Sequence, residues 1–129
     1  MILKEVELLR TKILLVVEDE HYLQHILTET FDKLDIKYHA CSNGLEAIEI
    51  VNNNNIDLIL TDIDMPEMNG IELINTLHDK DIFIPTILMS AHTEPEYRTL
   101  AKSYNNIFFT QKPFDFMKFL EIVYRIFKN

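Results

Sequence analysis

Five short apolar runs alternate with stretches of helical periodicity, and this alternation narrows the possible folds more than any other feature of the chain. The runs are KILLVV (12–17), IKYHAC (36–41), DLILT (57–61), IPTILMS (84–90) and IFFT (107–110). Strands that read as nearly continuous apolar segments are buried on both faces, which is the habit of parallel sheets. A parallel pair needs a crossover, and the intervening segments have the period of one. Leu23, Ile26, Leu27, Thr30, Phe31 and Leu34 mark the first helix, and Leu45, Ile48 and Val51 the second. Ile71, Ile74 and Leu77 mark the third, over about 70–79. A fourth starts at Thr93-Glu94-Pro95-Glu96, where Pro sits at a helix start, and fades near Ser103. The last spans 114–127, with Phe116, Phe119, Leu120, Val123 and Phe127 inward. A strand–helix unit repeated five times predicts an α/β fold, a parallel sheet with helices on both faces and right-handed crossovers.

The chain has 129 residues, enough for one domain, and is 47% apolar, enough for a core. Residues 11–129 form that domain. Residues 1–10 are an N-terminal extension, expected as a frayed tail, with a short helix packed on a neighbour as the alternative. A net charge of −9 opposes binding to phosphate backbones and to anionic membranes, so no direct nucleic-acid or membrane partner is expected. No apolar run approaches the ~20 residues of a membrane span. The single cysteine, Cys41, is expected as a small buried hydrophobe in a reducing, cytoplasmic setting. His21, His25, His39 and His78 have no metal-site spacing and are expected at the surface.

In open α/β sheets ligands bind at the carboxyl ends of the strands, where the strand order reverses. Glu18, Asp19 and Glu20 follow the first strand, and Asp62 and Asp64 the third. Ser90, Ala91 and His92 follow the fourth, and Gln111, Lys112 and Pro113 the fifth. Carboxylates within ~4–6 Å of one another repel, and must either protonate or recruit a cation. A hard, oxygen-seeking ion such as Mg²⁺ suits them, and Lys112 adds a positive point charge. A metal and an ammonium around one carboxylate form an electrostatic clamp for a phosphoryl group.

VVEDE (16–20), TDIDMPEMNG (61–70), PTILMSAHT (85–93) and QKPF (111–114), in this order and spacing, resemble the receiver domain of two-component response regulators over about residues 11–128. The resemblance implies a doubly wound, flavodoxin-like five-stranded sheet with strand order 2-1-3-4-5. It implies that Asp62 accepts a phosphoryl group from the phosphohistidine of a sensor histidine kinase or phosphotransfer protein. It further implies that Asp19 and Asp62 ligate Mg²⁺, with Glu18 acting through water and Asp64 through its backbone carbonyl. Ser90 and Lys112 would contact phosphoryl oxygens, and Phe109 would be the aromatic switch beside the helix after strand four and the last helix. The output would be a separate effector protein or a fused domain.

Three features vary from the common pattern. Phe109 lacks the hydroxyl often found at the switch position. Asn105-Asn106 replace a Gly-Ala pair, and Asn tolerates the left-handed backbone that would close the helix. Asp64 and His92 flank the expected path of attacking water. Two other functions compete: a small haloacid-dehalogenase-like phosphatase, suggested by Asp62-Ile63-Asp64, and an unphosphorylated receiver-like interaction domain. A flavodoxin is disfavoured, because no Gly/Ser/Thr-rich phosphate loop follows the first strand.

Overall fold

The computed structural model describes residues 3–91, 99 and 104–128. Among them the elements run α1 (Lys4–Leu9), β1 (Ile13–Val17), α2 (His21–Lys33), β2 (Lys37–Cys41), α3 (Gly44–Asn53), β3 (Leu58–Asp62), α4 (Gly70–Asp79), β4 (Thr86–Ser90), β5 (Ile107–Gln111) and α5 (Phe116–Phe127). The helix expected from Thr93 to Ser103, and His92 before it, lie outside the described residues. The strands form one parallel sheet in the order β2-β1-β3-β4-β5, the flavodoxin-like order expected. Every residue of β3 and β4 is buried.

Two apolar layers flank the sheet, and the alternation of side chains along β1 shows how they divide. Leu14 and Val16 join Leu27, Phe31, Phe119 and Val123 on the side of α2 and α5. Leu15 and Val17 join Ala47, Val51, Leu73 and Leu77 on the side of α3 and α4.

The starts of α3, α4 and α5 are capped by side chains. Asn43 Oδ1 accepts the Glu46 N–H at 2.9 Å. Asn69 and Glu72 form a reciprocal capping box. Asp115 accepts from the N–H groups of Met117 and Lys118. At the other ends, α2 and α4 close with the same motif. Asp35 (φ 57°) and Asp81 (φ 60°) are left-handed. The N–H of Ile36 reaches back to the carbonyl of Phe31, and that of Ile82 to the carbonyl of Leu77, both at 2.9 Å. Together with Asp35 N–H to Asp32 and Asp81 N–H to His78, these are Schellman closures.

Several expectations need correction. Residues 4–9 are not a frayed tail: they form α1, and Val6 and Leu9 are buried in the core beside α5. Arg10 Nε donates to the Leu34 carbonyl at 2.8 Å, tying this segment to the end of α2. Leu45 is 52% exposed, because the inward stripe of α3 runs through Ala47 and Val51. Ile26 is likewise exposed, leaving Leu27 and Phe31 as the buried residues of α2. The left-handed non-glycine residues among those described are Asp35, Glu67 and Asp81, not Asn105 or Asn106. Asn106 instead accepts the Thr86 N–H on its carbonyl at 2.8 Å and donates its side-chain amide to the Ile84 carbonyl, joining the starts of β4 and β5. His78 is not a free surface residue, since its ring lies 5.0 Å from that of Phe83 and 4.9 Å from that of Tyr104. Cys41 is buried as expected, and burial pushes its thiol up to about 12.

Candidate functional site

The strand order reverses at β1, so the carboxyl ends of β1 and β3 border the crevice where such sheets bind ligands. Val17 is in register with Thr61, which sets Glu18 and Asp62 side by side one residue further on. Asp62 is the last residue of β3, not the first of the loop, and is held in register with Met89 of β4. Its side chain is nonetheless nearly buried, and Glu18 is buried as well. Carboxylate oxygens of Glu18, Asp19 and Asp62 lie within 4.8 Å of one another.

Lys112 joins this cluster from 50 residues beyond Asp62 and 94 beyond Glu18. Its Nζ donates to Glu18 Oε1 at 2.9 Å and to Asp62 Oδ2 at 3.0 Å. The backbone brings it there: the Lys112 N–H donates to the Ser90 carbonyl at 2.7 Å, extending the β4–β5 ladder past Gln111. Ser90 is fully buried at the end of β4.

The electrostatics follow from these contacts. Burial raises the Glu18 carboxyl to about 7, and the charge of Asp62 adds to the rise while Lys112 opposes it. For Lys112, burial pulls downward, but hydrogen bonds to Glu18 and Asp62 outweigh it and raise its pKa, so it stays cationic. One ammonium thus faces three carboxylates. The donor set is all oxygen, anionic and confined, and it fits a hard divalent cation.

The residues expected at the site are brought together to different degrees. Glu18, Asp19, Asp62 and Lys112 converge. The carboxylate of Glu18, expected to act on a metal through water, stands in the same cluster as those of Asp19 and Asp62. The side chain of Asp64 is exposed and outside the cluster, while its N–H donates to Asp62 Oδ1 at 3.3 Å. Phe109 is half-buried against the small cluster of Ile63, Ile74, Leu88 and Ile107. Glu20 is the exposed residue before α2, and its N–H donates to Glu18 Oε2.

Gln24 is a functional neighbour that sequence reasoning missed. Its amide donates to the carbonyls of Glu18 (3.0 Å) and Cys41 (2.9 Å), clamping the exits of β1 and β2. At position 24 of an amphipathic helix, a Gln reads as solvent-facing. Beside Lys112 an apolar cavity of about 310 Å³ opens between Leu23, Ile26, Leu27, Pro113 and Phe114.

Comparison with known proteins agrees with this geometry. Residues 14–124 match the family model of the response regulator receiver domain. The chain is 32% identical over 102 residues to sporulation initiation phosphotransferase F of Bacillus subtilis, covering 79% of this chain and 82% of that protein. It is 31% identical over 112 residues to the regulatory protein AtoC of Escherichia coli, covering 87% of this chain but 24% of AtoC, and so spans about a quarter of that relative. The response regulator TrrA of Thermotoga maritima, solved in complex with Mg²⁺ and BeF, superposes with a TM-score of 0.76 at 29% identity, covering 89% of this chain and 98% of that one.

Proposed function

The chain belongs to the response-regulator receiver family, and from that premise we propose that Asp62 accepts a phosphoryl group from the phosphohistidine of a sensor kinase or phosphotransfer protein. The observation that carries this reading is the convergence of Lys112 with the Glu18, Asp19 and Asp62 carboxylates at the switch point of the sheet. A carboxylate oxygen of Asp62 attacks phosphorus, the P–N bond breaks, and the imidazole leaves with the electron pair. The product is an acyl phosphate on Asp62.

Such a transfer asks the protein mainly for positioning and charge neutralisation. Asp62 is positioned by the sheet. Glu18, Asp19 and Asp62, with the backbone carbonyl of Asp64, are the groups that would hold Mg²⁺. The bound ion would neutralise charge on the transferring oxygens. Lys112 leaves its carboxylate partners to pair with one phosphoryl oxygen, and Ser90 donates to another. The apolar cavity beside Lys112, with exposed Ile26 in its lining, supports a protein as phosphoryl donor, since such a surface is better covered than wet.

The chain would then act as a cytoplasmic switch that catalyses only its own phosphorylation and slow dephosphorylation. The new charge draws Ser90 towards it. Phe109 turns inward, shifting the population of surfaces offered to an effector protein or a fused output domain. Acetyl phosphate with Mg²⁺ should add one phosphoryl group to the wild type and none to Asp62→Asn, read by intact mass. Labelling of the Asn variant at another residue overturns the assignment.

A further inference from the structure

The chain contains only two glycines, Gly44 and Gly70, and each is the first residue of a helix after a capping Asn. Neither has a positive φ, so neither is needed for backbone conformation. Alanine is the better helix residue, so glycine at both places requires another reason. The reason is space. A Cβ on Gly70 would lie 2.6 Å from the carbonyl oxygen of Asp62, 3.1 Å from the Cα of Ile63 and 3.3 Å from the Cδ2 of Leu88. A Cβ on Gly44 would lie 2.7 Å from the Cγ of Met68, and 3.0 Å from its Cβ and its carbonyl oxygen.

Both vacancies lie against the turn that leads from the end of β3 to α4: Asp62 and Ile63, with Leu88 of β4, occupy that at Gly70, and Met68 occupies that at Gly44. Gly70 meets its beginning, where its own N–H also donates to the Ile63 carbonyl at 2.9 Å. Gly44 meets its far end, next to Glu67, whose backbone is left-handed (φ 67°). Between these clamps Asp64 donates its N–H to Asp62 Oδ1.

Resting on the assignment of Asp62 as phosphoacceptor, we propose that Gly44 and Gly70 are positioning residues for the reaction: they seat the loop that aims the Asp62 carboxylate and the Asp64 carbonyl. Misplacing a reacting group by about 1 Å can cost roughly 10²-fold in rate. The two glycines differ in what a methyl would strike. At Gly70 it meets backbone, which cannot yield without moving Asp62 itself. At Gly44 it meets first a side chain, which can be cut back.

The experiment compares wild type, Gly70→Ala, Gly44→Ala and Gly44→Ala/Met68→Ala, each held well below its own unfolding temperature. Phosphorylation by acetyl phosphate is followed at saturating donor and Mg²⁺, and Mg²⁺ binding is titrated separately by calorimetry. Gly70→Ala should slow phosphorylation by roughly 10–100-fold and weaken Mg²⁺ binding while still folded. Gly44→Ala should slow it by about tenfold, and Met68→Ala in that background should recover part of the loss by removing the 2.7 Å contact, since the Cβ and carbonyl oxygen of residue 68 stay 3.0 Å from the new methyl. A folded Gly70→Ala or Gly44→Ala that matches wild type in rate and Mg²⁺ affinity overturns the proposal, as does failure of Met68→Ala to rescue. If Gly70→Ala does not fold, the Gly44 pair decides alone. Wild type that takes no label overturns the phosphoacceptor reading itself, and this inference with it.

Discussion

Lys112 is the residue on which the metal-free site depends. Its ammonium offsets the charge of two nearly buried carboxylates, and removing one partner of a buried ion pair leaves the other uncompensated. Lys112→Met should therefore destabilise the metal-free protein by about 3 kcal/mol near neutral pH. Mg²⁺ should restore much of that loss, because a cation replaces a cation. Urea denaturation with chelator and with excess Mg²⁺ tests both parts, and equal losses in the two buffers would count against the pairing. Glu18 makes a second, pH-dependent contribution. Its folded carboxyl is raised by burial from the ordinary 4.5 to about 7. The folded chain then binds more protons than the unfolded chain between those values. The stability this group contributes is present below 4.5 and is lost as pH rises through about 7. In metal-free buffer, wild type should lose stability over that window relative to Glu18→Gln, which cannot ionise. Added Mg²⁺ should reverse the trend by favouring the carboxylate. Parallel pH curves for the two proteins would refute the burial argument.

At the scale of elements, helix ends carry information that periodicity does not. The strands were readable to within a residue or two, because wholly apolar runs bounded by polar clusters permit few other structures. Gly70 to Asp79 was readable too, from Ile71, Ile74 and Leu77 within it. The inward faces were less legible: Leu45 and Ile26 are apolar but exposed, while the small Ala47 faces the sheet. Hydrophobicity alone does not say which of several apolar residues on a helix touches the sheet. The Schellman closures at Asp35 and Asp81 were invisible, since Asp is an unusual choice for a left-handed position that glycine fills at less steric cost. Asp also places negative charge at the negative end of the helix dipole. Asp35→Gly and Asp81→Gly should each stabilise the fold by roughly 0.5–1 kcal/mol, visible as a rise of a few degrees in thermal midpoint. Asp35→Asn and Asp81→Asn separate the causes, since they remove the charge and keep the side chain. If the Gly variants are no more stable than wild type, the left-handed backbone costs Asp little here.

For the whole molecule, the site was more legible than its setting. Parallel strands deliver their carboxyl ends to one edge, so naming the residues after each strand brought Glu18, Asp62, Ser90 and Lys112 together without coordinates. What could not be read was which group pairs with which: the Lys112–Glu18 contact spans 94 residues, and Gln24 gives no sign of its role. The N-terminal segment was equally opaque, because six helical residues carry too little periodicity to be distinguished from a tail. Its weight in the fold comes from what it covers. Leu9 is fully buried and Val6 nearly so, in the cluster that contains Phe31, Ile36, Phe119, Ile122 and Val123. This end of the core lies before the start of β1, whereas the proposed phosphoacceptor site lies past the strand ends, about 16 Å away over five residues. Truncating a buried Leu removes its transfer energy and leaves a cavity, so Leu9→Ala should cost about 2–4 kcal/mol. Deleting residues 1–10 should cost more, because it also uncovers the neighbours of Val6 and frees the Leu34 carbonyl that Arg10 satisfies. Since α1 packs against α5 and the core beside it, Leu9→Ala held below its melting transition should accept phosphate from acetyl phosphate at the wild-type rate. Denaturant midpoints and phosphorylation rates on the same samples distinguish the outcomes. A deletion as stable as the full chain would return residues 1–10 to a tail, and a folded Leu9→Ala with slowed phosphorylation would mean that α1 communicates with the opposite edge of the sheet.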